Sequence, residues 1–258
     1  MPSTSCMSWS PMSDSMPTES PPSEPISLPK VVIVTGTSTG VGKTVVTAAL
    51  VVMLRRRGAE VAVVKPLQTG VSADEDGDIQ VVQHLLGEDP GVAYHEFIRL
   101  EAPLAPDTAA RLQQSTLPPV AEHARSIATL AQDVDVVLVE GAGGLLVRLD
   151  SRGGTLADLG TALRYKGIST GFILVASPSL GTLNHTALTA EVLASRGLPL
   201  LGVVVGSYPA EPGLAEQSNL IDLPRVAIAP LLGNLPSGAG DLLVTEFRQR
   251  AGSWLAVS

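Results

Sequence analysis

An unbroken apolar run, Val31 to Val34, leads into Thr35-Gly36-Thr37-Ser38-Thr39-Gly40-Val41-Gly42-Lys43-Thr44, after which apolar residues recur at helical spacing. A Gly-rich loop between a buried strand and a helix constrains this chain more than any other feature. Its glycines let successive backbone amides face one anion, and the helix N-terminus adds partial positive charge. Lys43 is placed to reach the β- and γ-phosphates of a nucleotide, and the Thr44 hydroxyl to ligate Mg²⁺. Five residues separate Gly36 from Gly42, one more than the usual spacing. Glycines alone make ordinary turns, but Gly-Lys-Thr opening a helix points to a nucleoside triphosphate site.

The body repeats the same alternation. Val31–Thr35, Val61–Lys65, Val136–Glu140, Phe172–Ala176, Gly202–Gly206 and Val226–Pro230 read as strands, nearly continuous in apolar residues. Such runs suit strands covered on both faces. Helical patterns fall at Lys43–Arg57, Asp78–Leu86, Val120–Gln132, Thr182–Arg196, Pro212–Leu223 and Asp241–Ala256. The expectation is an α/β fold with a doubly wound, mostly parallel sheet and right-handed crossovers. Ligands then gather at the carboxyl ends of the strands.

Composition narrows the function. A formal net charge of −8 disfavours a nucleic-acid or anionic-membrane surface, and 3% aromatics leave few residues on which bases could stack. No apolar run is long enough for a transmembrane helix, so a cytoplasmic protein is expected. Residues 1–29 differ from the rest, with nine Ser, seven Pro and no Lys or Arg. They read as a disordered tail or an over-extended start, with Met12 and Met16 as alternative starts, and residues 30–258 as one domain. The single cysteine, Cys6, lies in that tail and receives no role. The four histidines (His84, His95, His123 and His185) lack metal-ligand spacing and read as structural.

Three further strand ends carry chemistry. Lys65-Pro66-Leu67-Gln68-Thr69-Gly70 places a lysine where it can add charge beside a γ-phosphate, although a strand-end lysine can also extend into solvent. Glu140, followed by Gly141-Ala142-Gly143-Gly144, is placed as the acid that holds Mg²⁺ opposite a phosphate loop. The acidic run Asp74-Glu75-Asp76-Gly77-Asp78 could supply one more ligand, but spacing alone does not choose among its members. Amides at the start of the helix after Ser177-Pro178-Ser179-Leu180-Gly181 could bind a carboxylate.

Gly-Thr-x-Thr-x-Val-Gly-Lys-Thr, Lys-Pro-x-x-Thr-Gly, Glu-Gly-Ala-Gly-Gly and Leu-Gly-Thr-Leu-Asn-His-Thr occur here in one order. Together they resemble the dethiobiotin synthetase family from about Val31 to the last helix, including the five-residue loop spacing. The resemblance implies that Thr44, Asp78 and Glu140 surround Mg²⁺ and that Gly40, Val41, Gly42, Lys43, Thr44 and Val45 wrap the triphosphate of ATP. It implies Glu140, Gly141, Ala142 and Gly143 beside the nucleotide, and Lys65 with Lys43 as the catalytic lysines. Thr39 and Thr69 would contact a diamine substrate. Gly181, Thr182 and Asn184 would hold its carboxylate near the partner of a homodimer. Gly206, Ser207, Pro236, Ser237 and Gly238 would border the base.

The implied reaction is ATP-dependent closure of a ureido ring from 7,8-diaminononanoate and CO₂ or bicarbonate. It needs positioned cations rather than an enzyme nucleophile. Two other readings compete. A nucleotide-switch ATPase of related architecture would carry a second lysine early in the phosphate loop, where this chain has Gly36-Thr37-Ser38-Thr39. The ATPase part of a cobyrinate amidation enzyme would be followed by a glutaminase segment. Many relatives in the resembled family place an Asn where this chain has Gly206, which implies weak discrimination among bases.

Overall fold

A computed structural model describes residues 28–256, and the tail reading for residues 1–27 lies outside them. Seven strands form one sheet: β1 Val31–Gly36, β2 Val61–Lys65, β4 Val92–Glu96, β6 Val136–Gly144, β7 Thr170–Ala176, β8 Leu200–Tyr208 and β9 Leu231–Pro236. Their order is β4-β2-β6-β1-β7-β8-β9, and all six neighbouring pairs are parallel. Two short strands, β3 Gln68–Thr69 and β5 Arg99–Leu100, pair separately beyond the main sheet.

Helices cover both faces, which explains the continuous apolar strands. In β1, Val32 and Val34 join the core under α1 (Lys43–Arg56), α2 (Asp78–Leu86) and α8 (Val244–Arg250). Val31 and Ile33 join the opposite core under α3 (Pro106–Leu112), α4 (Val120–Asp133) and α5 (Leu156–Tyr165). Successive strand side chains point to opposite faces, so a sheet buried twice needs apolar residues at every position. Leu28 already packs against the first of these cores. α6 (Thr182–Ser195) and α7 (Leu214–Ala227) pack together beside β8.

Several boundaries differ from the sequence reading. Val226–Pro230 is not a strand: α7 continues through Pro224 to Ala227, Ile228 ends it with a left-handed φ of 50°, and the strand starts at Leu231. The last expected helix is broken, with 3₁₀ turns at Ala239–Asp241 and Ala251–Ser253 flanking α8. The edge strand β4 and helices α3 and α5 are additions. Among the described residues no helix is long and apolar enough to cross a membrane.

The fold also sets where a ligand fits. β6 and β7 flank β1, and the helices after β1 and β6 pack on opposite faces. A crevice opens between them at the carboxyl ends of the strands.

Candidate active site

The loop after β1 turns through Gly40 and Gly42, with φ of 73° and 94°, a region in which a side chain is strained. α1 then starts at Lys43. The Lys43 side chain is buried, and its Nζ donates to the Ser38 carbonyl at 3.0 Å, folding the lysine back across the loop. Such a loop, with a cation folded into it, has the form of an anion-binding concavity.

Facing the loop is a cluster built from three elements. At the end of β2, buried Lys65 donates through Nζ to Glu140 Oε1 at 2.9 Å and to the Gly141 carbonyl at 3.2 Å. It also pairs with Asp78, the first residue of α2. The Thr44 hydroxyl donates to Glu140 Oε1 at 2.9 Å. Strand order brings these groups together, because β6 lies between β1 and β2.

Electrostatics follow from that packing. Burial, reinforced by repulsion from Lys65, pushes the Lys43 ammonium below its ordinary value. Burial acts the same way on Lys65, but Glu140 and Asp78 outweigh it and hold that ammonium above the usual lysine range. Burial likewise opposes the Asp78 charge, yet Lys65 wins and keeps the carboxyl below its ordinary value. Glu140, deeper still, is pushed up by burial.

The structure sorts the acidic run. Asp74, Glu75 and Asp76 are exposed. Glu75 accepts from the Ser72 amide at 2.9 Å and Asp76 pairs with His84, so Asp78 alone of the four reaches Lys65. Three hard oxygen donors, from Thr44, Asp78 and Glu140, therefore converge beside the phosphate loop. Among the described residues no group of three His, Cys, Asp or Glu side chains could hold a metal alone. One or two carboxylates completed by phosphates and water is the donor set Mg²⁺ takes, so these residues fit that ion.

A cleft of about 840 Å³ opens over this cluster. Thr39, Gly40, Gly42, Lys43, Thr44, Val45, Lys65, Thr69, Asp78, Glu140, Ala142 and Gly143 line it. Val41 lies beneath the loop instead, with its backbone against Gly206. Ser207 and Ser237 meet through their hydroxyls at 3.0 Å, and the Ser237 amide donates to the Tyr208 carbonyl at 2.8 Å. This ledge, with Pro236 and Gly238 beside Ser237, continues to Gly240, whose position abuts Val45. Gly181, Thr182 and Asn184 head α6 and do not line the cleft.

Sequence reasoning missed the wall opposite the loop, formed by Pro103, Leu104, Ala105 and Pro106 with Val147. It also missed Gln68, whose Oε1 accepts from the Asp78 amide at 2.8 Å. Gln68 lies inside the Lys65–Gly70 motif, which was the available signal.

Residues 30–239 match the AAA domain family. An ATP-dependent dethiobiotin synthetase from Parafrankia sp. (strain EAN1pec) is 52% identical over 225 residues, covering 87% of this chain and 91% of the relative. One from Streptomyces coelicolor is 51% identical over 226 residues, covering 88% and 92%. Among solved structures, a ParA family ATPase from Chlorobium tepidum TLS gives a TM-score of 0.54 at 12% identity, covering 86% of this chain and 97% of that one. MinD complexed with Mg-ADP from Pyrococcus horikoshii OT3 gives 0.53 at 19%, covering 86% and 90%. Those two likenesses concern the fold alone, a parallel α/β sheet, whereas the half-identical relatives are matched over nearly their whole length. The chain belongs to the ATP-dependent dethiobiotin synthetases, ligases of biotin biosynthesis.

Proposed function

We propose that the enzyme closes the ureido ring of dethiobiotin from 7,8-diaminononanoate and CO₂, acting as a cytoplasmic homodimer whose folded unit is residues 30–258. One amine adds to CO₂ and loses a proton, giving a carbamate. A carbamate oxygen attacks the γ-phosphorus, and ADP leaves. The second amine then attacks the carbonyl carbon, expels phosphate and loses its proton as the ring closes.

This sequence requires no covalent bond to the protein, and the residues serve to position and to balance charge. Gly40 to Val45 would cradle the triphosphate through their amides, with Lys43 on the β- and γ-phosphates. Lys65 would face the phosphoryl group in transfer, held there by Glu140 and Asp78. Thr44, Asp78 and Glu140 would hold Mg²⁺, which when bound offsets phosphate charge. Thr39 and Thr69 would contact the diamine, and the ledge of Gly206, Ser207, Pro236, Ser237 and Gly238 would border the base. Gly141 orients Lys65 through its carbonyl, while Ala142 and Gly143 leave room for the ligand.

Gly181, Thr182 and Asn184 would take the substrate carboxylate from the partner's side of the site. Leu180, beside them, is 89% exposed, and Leu188 on the same helix is also exposed, which supports a face that a second copy covers.

The observation that carries the reading is the cluster of Lys65, Glu140, Asp78 and Thr44 opposite a loop already holding Lys43. Release of ADP by the purified protein tests it. Turnover is expected only with diamine and bicarbonate both present. Steady ATP hydrolysis with either omitted would instead mark a nucleotide switch.

A further inference from the structure

We propose that Arg99 is a positioning residue for the reaction: its guanidinium clamps the loop before α2 so that Asp78 stays on Lys65. This rests on the reading that Asp78 serves the nucleotide's metal. Arg99 lies in β5 and has no place in any of the sequence motifs. Its Nε donates to Glu96 Oε1 at 2.7 Å and one terminal nitrogen to Glu96 Oε2 at 2.9 Å, a two-pronged pairing. That same terminal nitrogen donates to Gln80 Oε1 at 3.0 Å. The other donates to the Ser72 carbonyl at 2.8 Å and the Glu75 carbonyl at 2.6 Å. All five N–H donors of the guanidinium are thereby used.

The contacts select one geometry. Glu96, at the end of β4, fixes the guanidinium plane, and the plane then holds both ends of the turn from Ser72 to Glu75. Gln80 links this clamp to α2, since its Oε1 also accepts from the Gly77 amide at 2.9 Å. The β3–β5 pairing sets Gln68 opposite Arg99, and Gln68 holds the Asp78 amide. Gly77 passes through the gap between the Arg99 and Gln68 side chains, where a β-carbon would lie 2.9 Å from each. Asp78 is thus positioned through its own amide and that of Gly77, while its carboxylate pairs with Lys65. Loosening the clamp frees the loop but leaves Lys65, Glu140 and the phosphate cradle as they are. A lysine at this position keeps the charge and loses the fork.

The test is a double-mutant cycle of Arg99→Gln and Asp78→Asn, with Arg99→Lys alongside. It reads kcat, KM for the diamine, the half-saturating Mg²⁺ concentration, and amide hydrogen exchange over residues 72–78. Arg99→Gln is expected to raise half-saturating Mg²⁺ about tenfold and to lower kcat, with diamine KM held, as for other groups that orient metal ligands. Exchange should quicken at Gly77 and Asp78, and Arg99→Lys should recover part of each effect. In the Asp78→Asn background, Arg99→Gln should add no further loss. Additive losses, or unchanged Mg²⁺ dependence and exchange in Arg99→Gln, would overturn the proposal. A wild-type Mg²⁺ response in Asp78→Asn would instead defeat the metal reading on which it rests. If Arg99→Gln does not fold, Gln80→Ala in the same cycle loosens the clamp at one point and measures the same coupling, with additive losses again overturning the proposal.

Discussion

A β-carbon on Gly42 would lie 2.6 Å from the carbonyl oxygen of Gly206, and one on Gly206 would run into the carbonyl oxygen of Val41. The phosphate loop and the end of β8 thus meet backbone to backbone. No flexible side chain can yield at such a contact. Gly206→Ala is expected to shift the loop at about 1–3 kcal/mol, the range for overpacking. ATP affinity should fall and the thermal midpoint should drop. Unchanged ATP binding by Gly206→Asn would show that the loop gives way freely.

The same contact bears on the base. A side chain at position 206 would press on the Val41 carbonyl and require the loop to shift, and with glycine there the Ser207 and Ser237 hydroxyls are the side-chain groups on the ledge. A hydroxyl donates or accepts as required, so it distinguishes bases poorly. One net hydrogen bond is worth about 0.5–1.5 kcal/mol, or at most roughly tenfold. Values of kcat/KM for ATP, CTP, GTP and UTP are expected within about tenfold of one another. A preference for ATP of roughly a hundredfold, about 2.7 kcal/mol, would require a dedicated reader.

Lys43 and Lys65 should separate activity from stability. Each alanine variant is expected to lose about 10²–10³ in kcat, as when one charge partner of a transition state is removed. Lys43 is held by one carbonyl and opposed by Lys65, so Lys43→Ala should leave the thermal midpoint intact or raised. Lys65→Ala strands two carboxylates, at a cost of about 3–5 kcal/mol. Equal midpoints for the two variants would contradict this assignment.

The Asp78 carboxyl titrates below its ordinary value of 3.8 in the fold. A depressed carboxyl contributes stability above its unfolded value and loses it as pH falls through the folded one. Asp78→Asn should therefore flatten the acid limb of stability below pH 3.8. Lys65, raised above 10.5, contributes stability that is full below that pH and is lost at higher alkalinity. Lys65→Met should flatten the alkaline limb. Denaturant titrations across pH, with both variants beside the unaltered protein, provide the check.

The local chemistry of strand ends was legible in the sequence; contacts across the fold were not. Lys65 ends β2, Glu140 lies within β6, and Lys43 and Thr44 open the helix that the glycine loop joins to β1, so neighbouring parallel strands bring them together. Val226–Pro230 misled because Val-Ala-Ile-Ala is apolar enough for either a strand or a helix end, and the helix continued past Pro224. α5 carried a readable cap, Thr155 with Asp158 three residues on, which the strand reading passed over. β4 is an edge strand with Tyr94, His95 and Glu96, and it lacks the doubly buried pattern of its neighbours. Arg99 gave no signal, because its partners span Ser72 to Glu96 and only folding brings them within reach.

Of the two lysines on the floor of the cleft, Lys65 stands against two carboxylates, so its charge is offset before any anion arrives. An anion that arrives without a counter-ion gains little by staying there. Inorganic phosphate, once expelled, meets a Lys65 already engaged with Glu140 and Asp78 and a Lys43 already bonded to the Ser38 carbonyl. Inhibition by added phosphate should accordingly be weak, a consequence of the pairing that holds Lys65.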